Sequence, residues 1–250
     1  MFEITITTSK AKSKDISFII NKLRPDFKAM KGIMVCEEFD KRVKLALAVS
    51  KEKKDLAISL IFDAVSEAII RDYKEEYLLK NLKISLPNKI TLNAFVKALT
   101  MFDKINDKDI IKKKLVLTDE LHLDSFYNFR LWELEKRWQE IAQLVTENSG
   151  YLLASGSFME LMKFLIMTND AEFGELHMFY ENGSIIAQNK DGREIFNLKY
   201  MKDDVNSKIN VISEIISLSP QKIILHNDKF DIELCEYIES LFDGKVCVLK

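Results

Sequence analysis

The chain has 250 residues, 47% of them hydrophobic and 30% charged, with 37 Lys+Arg against 39 Asp+Glu. Such a chain can fill a sizeable core, and its net charge of -2 excludes a strongly basic nucleic-acid coat or an electrostatic binder of anionic membranes. Only 7 glycines and 3 prolines occur, which excludes collagen-like and low-complexity chains, a turn-dense all-β sandwich and glycine-built phosphate loops.

In chain order, residues 2–8 alternate Phe2, Ile4 and Ile6 with polar neighbours and read as a strand. Residues 13–24 read as a helix on Ile16, Ile19, Ile20 and Leu23, with Pro25 as its stop. Residues 33–39 and 43–49 form a hairpin through Asp40-Lys41. Cys36 lies in an apolar run there and reads as a small buried hydrophobe. From 53 to about 85 the period is helical, carried by Leu60, Ile61, Ala64, Val65, Ala68 and Ile69.

Between Gly32 and Gly150 there is no glycine, and helical patterns run from Leu92 almost to Thr168, with breaks near 103–109 and 117–124. Residues 90–170 are therefore expected to hold no strand beyond a residue or two. In the helix after Asp124, the stripe Leu131, Leu134, Trp138, Ile141 and Val145 faces a core. Gly150 and Ser155-Gly156-Ser157 end it, and a further helix covers 158–166. Asn182-Gly183 is the strongest hairpin signal in the chain, followed by an Asp191-Gly192 turn into a strand near Ile195. A helix after Asp203-Asp204 ends at Pro220, and strand (222–225), helix (229–242) and strand (246–249) close the chain. The fold class is α+β: an N-terminal β-α-β-β-α region (1–88), a helical middle (89–170) and a C-terminal hairpin plus βαβ region (171–250), with soft borders.

The chemistry is mostly negative. There is no Gly-x-x-x-x-Gly-Lys-Ser/Thr, no Gly-x-Gly-x-x-Gly, no His-Glu-x-x-His and no Gly-x-Ser-x-Gly. The cysteines, Cys36, Cys235 and Cys247, are odd in number and widely spaced, which points to free thiols in a reducing cytoplasm rather than a disulfide framework or zinc site. No apolar run is long enough for a membrane span, and the start lacks a secretion signal. Glu120-x-His122-x-Asp124 has too few donors for a metal site and reads as structural or surface. Asp103, Asp107 and Asp109 lack the glycine of a calcium loop and read as a solvated connector.

Two places merit more. Around Phe126-Tyr127-Asn128-Phe129-Arg130, the core stripe leaves Phe126 and Phe129 for a second packing face, shared by Arg130, Glu133 and Arg137. Two cations about one acid beside aromatics suit an anionic ligand or RNA. The plainer reading is a helix packed on two sides, with Arg130 held in an ion-pair ladder, at least half buried and paired to the C-terminal region. At His226-Asn227-Asp228 a strand's carboxyl end meets a helix, where open α/β sheets hold ligands. Here Asn227 and Asp228 also serve as ordinary N-caps, and capping is the favoured reading.

At these places the sequence resembles the YtxC-like family of sporulation-associated proteins of endospore-forming bacteria. The resembling residues are Phe126-Tyr127-Asn128-Phe129-Arg130-Leu131, Leu218 through Asn227, and Leu241-Phe242-Asp243-Gly244-Lys245-Val246, after a helical segment ending around Asp72-Tyr73. The resemblance covers about 55–250, with Ser125 where the family's glycine is expected. It implies a cytoplasmic protein linked to sporulation, with no established reaction or active site. The leading expectation is a non-enzymatic interaction or regulatory protein with a protein partner, no cofactor, no metal and no membrane contact. The alternatives are a small-ligand binder or enzyme using a crevice near His226 and, third, a nucleic-acid binder through Lys112-Lys113-Lys114.

Overall fold

The computed structural model describes all residues except Pro87, 155–156, 170–172, 227–229 and Lys250. It is α+β. The elements are β1 (Phe2–Ser9), α1 (Ser13–Ala29), β2 (Ile33–Phe39), β3 (Arg42–Val49), α2 (Lys54–Ala68), a π turn (Ile69–Lys74) and α3 (Glu75–Asn81). Then come α4 (Lys89–Met101), α5 (Lys104–Lys114), β4 (Glu120–His122), α6 (Leu123–Arg130), α7 (Trp132–Ala154) and α8 (Phe158–Thr168). The chain continues with β5 (Phe173–Glu181), β6 (Ser184–Asn189), β7 (Glu194–Lys199), α9 (Val205–Leu218), β8 (Pro220–His226), α10 (Ile232–Leu241) and β9 (Val246–Leu249).

Contacts gather these elements into two compact units, Met1–Asn81 with Lys104–Gln143, and Leu82–Asp103 with Leu144–Lys250. The helices of 89–170 are thus divided between the units.

In the first unit the sheet order is β2-β3-β1-β4, with β4 parallel to β1 and the other pairs antiparallel. Alternation places Ile4, Ile6, Val43, Leu45, Leu47 and Val49 on one buried face. That face packs with Ile16, Ile19, Leu23 and Phe27 of α1 and with the α2 stripe Ala57, Ile61, Ala64, Val65 and Ala68. Lys22 of α1 bridges Asp63 (2.9 Å) and Glu67 of α2, and Lys108 of α5 reaches the same two carboxylates at 3.2 and 2.9 Å.

Several expectations change here. Pro25 lies inside α1, which runs one more turn to Ala29 because Phe27 is buried against the sheet. The loss of one backbone hydrogen bond at Pro25 is outweighed by that burial. The helical segment does not end at Asp72-Tyr73 but widens into the π turn and continues to Asn81. Residues 120–122 form a short strand, because β1 presents an unpaired edge to them. Asp103 adopts a left-handed φ of 60°, and residues 104–114 are helical rather than a solvated connector. Asp107 is buried and holds Lys74 at 2.7 Å. Cys36 is exposed, because β2 is the outermost strand and presents most of its side chains to solvent.

The second unit carries the sheet β7-β6-β5-β8-β9, parallel at β5–β8 and β8–β9 and antiparallel elsewhere. Leu176, Met178, Ile185, Ala187, Ile223 and Leu225 make its buried face, and Val211, Ile212, Ile215 and Ile216 of α9 are buried in the same unit. The Asn182-Gly183 turn has both residues at positive φ, 50° and 75°, the geometry that matches strand twist. Gly183→Ala is expected to cost about 1 kcal/mol, read as a lower denaturation midpoint, because a Cβ disfavours the left-handed region. Asp204 caps α9 through the N–H groups of Asn206 and Ser207. The last helix begins later than expected. Its cap is Asp231, which accepts from the Glu233 N–H at 3.1 Å and the Tyr200 hydroxyl at 2.7 Å. Asn227 and Asp228 lie outside the described residues.

Candidate functional site

Where the π turn, the end of β1 and the start of α6 meet, the first unit forms a polar pocket of about 260 Å³. A π turn is an uncommon, functionally enriched distortion. Here it buries Tyr73 and Lys74 together. Asp124, in the first turn of α6, accepts from the Ser9 N–H at 2.7 Å, the Thr8 hydroxyl at 3.3 Å and the Tyr73 hydroxyl at 3.2 Å. One carboxylate therefore ties three elements together, near the helix end where negative charge is favoured.

Over the face of the Tyr73 ring sits the Lys12 ammonium, 3.5 Å from the centroid and 3.0 Å from a Glu76 oxygen. Tyr127 leans on Tyr73 with centroids 4.6 Å apart and stacks toward Trp138 at 6.1 Å, and Tyr77 approaches Trp138 at 6.0 Å. Glu76, Glu135, Lys80 and Asn128 complete the lining. Burial pushes the Tyr73 hydroxyl well above the ordinary phenol range, helped by the Asp124 charge. Burial followed by Glu135 does the same to Tyr127.

Within the same unit, Asp15 is fully buried, and among the described residues neither of its oxygens has a hydrogen-bond partner. Burial, and then the neighbouring Asp72 carboxylate, push its pKa up to about 7. Asp72 itself pairs with Lys14 at 3.2 Å. No sequence period marks Asp15, since a helix's first turn often carries an acid for its dipole. It was missed for that reason. The Tyr127 and Tyr73 pair was visible only as two separate stretches.

The expected site residues disperse. Phe126 is buried in the first unit's core, whereas Phe129 is 78% exposed. Arg130 is exposed and, among the described residues of its own unit, has no ion-pair partner, which overturns its expected burial. The reason is a break: α6 stops at Arg130 and α7 starts at Trp132, so no continuous face joins Arg130 to Glu133. Glu133 instead pairs with Lys114 at 3.2 Å on the surface. Asp124 also parts from Glu120 and His122, which lie 3.8 Å from each other. His122 turns to Arg42 (2.8 Å) while Asp124 serves Tyr73.

His226 is half-buried on the sheet of the second unit. Its Nε2 lies 2.8 Å from Nδ1 of His177, and its ring stacks on Phe179 at 4.4 Å. Parallel pairing of β5 and β8 puts these residues, far apart in sequence, on one face. Burial and then the neighbouring His177 lower the His226 pKa. Asn227 lies outside the described residues. Among the described residues no three His, Cys, Asp or Glu side chains gather in a metal-binding arrangement, and no helix is long and apolar enough to cross a membrane.

No curated protein and no solved structure gives a significant match. The model of the YtxC-like family matches residues 61–247, a span that includes the π turn, the Phe126–Arg130 run and the stacked histidines, and the chain belongs to that family.

Proposed function

We propose that this chain is a cytoplasmic, sporulation-associated protein that works by binding a protein partner, not by catalysing a reaction. Its family membership supports the setting. The lining of the Tyr73 pocket supports the mode. In it Asp124 accepts from three donors and Lys12 pairs with Glu76. With both phenols raised, neither Tyr73 nor Tyr127 offers a phenolate base near neutrality.

The single observation that carries the reading is the Lys12 ammonium 3.5 Å above the Tyr73 ring. The pocket already holds one cation by ring and carboxylate. The adjoining Tyr77, Tyr127 and Glu135 offer the same chemistry to a basic side chain from a partner.

The test is genetic and physical together. Deleting the gene in a spore-forming host is expected to lower the yield of heat-resistant spores, and the unmodified chain should restore it. Glu76→Lys with Glu135→Lys should fail to restore it while keeping the unfolding midpoint within a few degrees. Normal spore yield after deletion would remove the sporulation setting, and full rescue by the charge-reversed chain would remove the pocket from the function.

A second reading, a small-ligand binder or enzyme, is favoured by the His177–His226–Phe179 stack. It requires that His226→Ala, rather than the Glu76 and Glu135 changes, abolish rescue.

A further inference from the structure

The edge strand β2 is unusually unprotected. Among the described residues it is bonded only to β3, in an unbroken register from Ile33↔Ala48 to Phe39↔Arg42. Natural sheet edges are normally blunted by charged side chains, lysine above all, by proline, by bulges or by short length. The seven residues of β2 contain no lysine, no proline and no bulge, their charges are Glu37 and Glu38 at one end, and Ile33, Val35 and Phe39 are 59%, 45% and 79% exposed. We propose that this edge pairs antiparallel with the same strand of a second copy, joining the two four-stranded sheets into one continuous sheet.

The register follows from the hairpin. Phe39 and Arg42 close a two-residue turn, so the odd-numbered residues of β2 exchange hydrogen bonds with β3. Met34, Cys36 and Glu38 then direct their N–H and C=O groups outward. Full overlap of the strand with itself occurs about Cys36, on a two-fold axis. Ile33 then lies opposite Phe39 of the second copy, and the two exposed apolar side chains cover each other at both ends. On the other face, Glu38 of the second copy comes beside Met34. It enters a groove of about 420 Å³ between α1 and β2, whose walls carry Arg24 and Lys28. Among the described residues neither cation has a carboxylate partner at salt-bridge distance, so the acidic end of one strand meets the basic end of the other groove. The present partner of Glu38 is Lys10 at 2.8 Å, a pair more than half exposed. Such pairs contribute little, so releasing it costs little.

The experiment is sedimentation equilibrium of the full chain from low to high micromolar concentration, under reducing conditions. The expected result is a dimer that dissociates on dilution. Glu38→Lys should weaken it at least about tenfold, the loss of about 1.4 kcal/mol, and adding Arg24→Glu with Lys28→Glu should restore it. Cys36→Pro removes an outward N–H that β3 does not use, and should give a folded monomer. With Cys235→Ser and Cys247→Ser in place, a thiol oxidant should link the copies through Cys36, since bonded antiparallel neighbours about 5.5 Å apart lie within disulfide reach. A single-chain mass at every concentration would overturn the proposal. So would a dimer indifferent to both Glu38→Lys and Cys36→Pro in chains whose unfolding midpoints show them folded, because the copies would then meet elsewhere.

Discussion

Lys74→Met is expected to destabilise the protein by about 3–5 kcal/mol, the cost of breaking a buried ion pair from one side. The Lys74 ammonium and the Asp107 carboxylate are 0% and 1% exposed and 2.7 Å apart, and the Trp138 indole donates to the same Asp107 oxygen at 3.2 Å. Removing the lysine takes the Lys74 cation, 2.7 Å away, from a carboxylate in a low-dielectric core. Two results are possible for the carboxylate: it takes up a proton, or the unit opens to water, and both lower the denaturation midpoint. The pair is not itself a large source of stability, because desolvating both charges offsets most of their attraction. Lys74→Met combined with Asp107→Leu should therefore recover most of the loss, short of about 1 kcal/mol for the indole N–H left without an acceptor. Equilibrium urea denaturation of both single variants and the double variant measures the coupling. Independent, additive effects would mean that the pair does not act as a unit.

Asp15→Asn is expected to stabilise the protein increasingly as pH rises. The Asp15 carboxyl has a folded pKa of about 7 against an ordinary value of 3.8, raised by burial and by Asp72. A carboxyl with a raised folded pKa holds its proton more tightly folded than unfolded. Between those two values the folded state binds more protons, so stability falls as pH rises, and above the folded value the penalty is constant. The groups facing it include Asp72, which raises the value, and Lys12 and Lys14, which oppose the rise. Asparagine keeps the shape and cannot ionise. Its advantage over the unmodified chain should grow by about 2–3 kcal/mol between about pH 5 and about pH 8. Comparing the two chains at each pH cancels the opposite trend of Asp63 and Glu67. Their pKa values are raised by burial but lowered more by Lys22, Lys104 and Lys108, so they contribute stability that is lost on acidification. Parallel stability–pH curves for the two chains would show that Asp15 is already ionised in the fold.

The amino-acid sequence by itself determined what depends on neighbours along the chain. The alternation of β1, the helical stripes of α1, α2 and α9, and the Asn182-Gly183 turn all follow from a side-chain period or a φ preference that few residues specify. Membership of the family was legible in the same way, because its motifs are contiguous runs. The tertiary structure alone decided what depends on residues far apart. Proline at position 25 signals a stop locally, yet Phe27 finds a core that only the sheet provides, so α1 continues. Lys74 and Asp107 look like surface charges until two helices bring them together away from water. Arg130 looks paired on an ideal helix, and the break at Leu131 turns it to solvent. The pocket itself joins Lys12, Tyr73 and Asp124 across three elements. Periodicity reports which face of an element is apolar, but not which elements face each other, and the burial of a charge is set by that second choice.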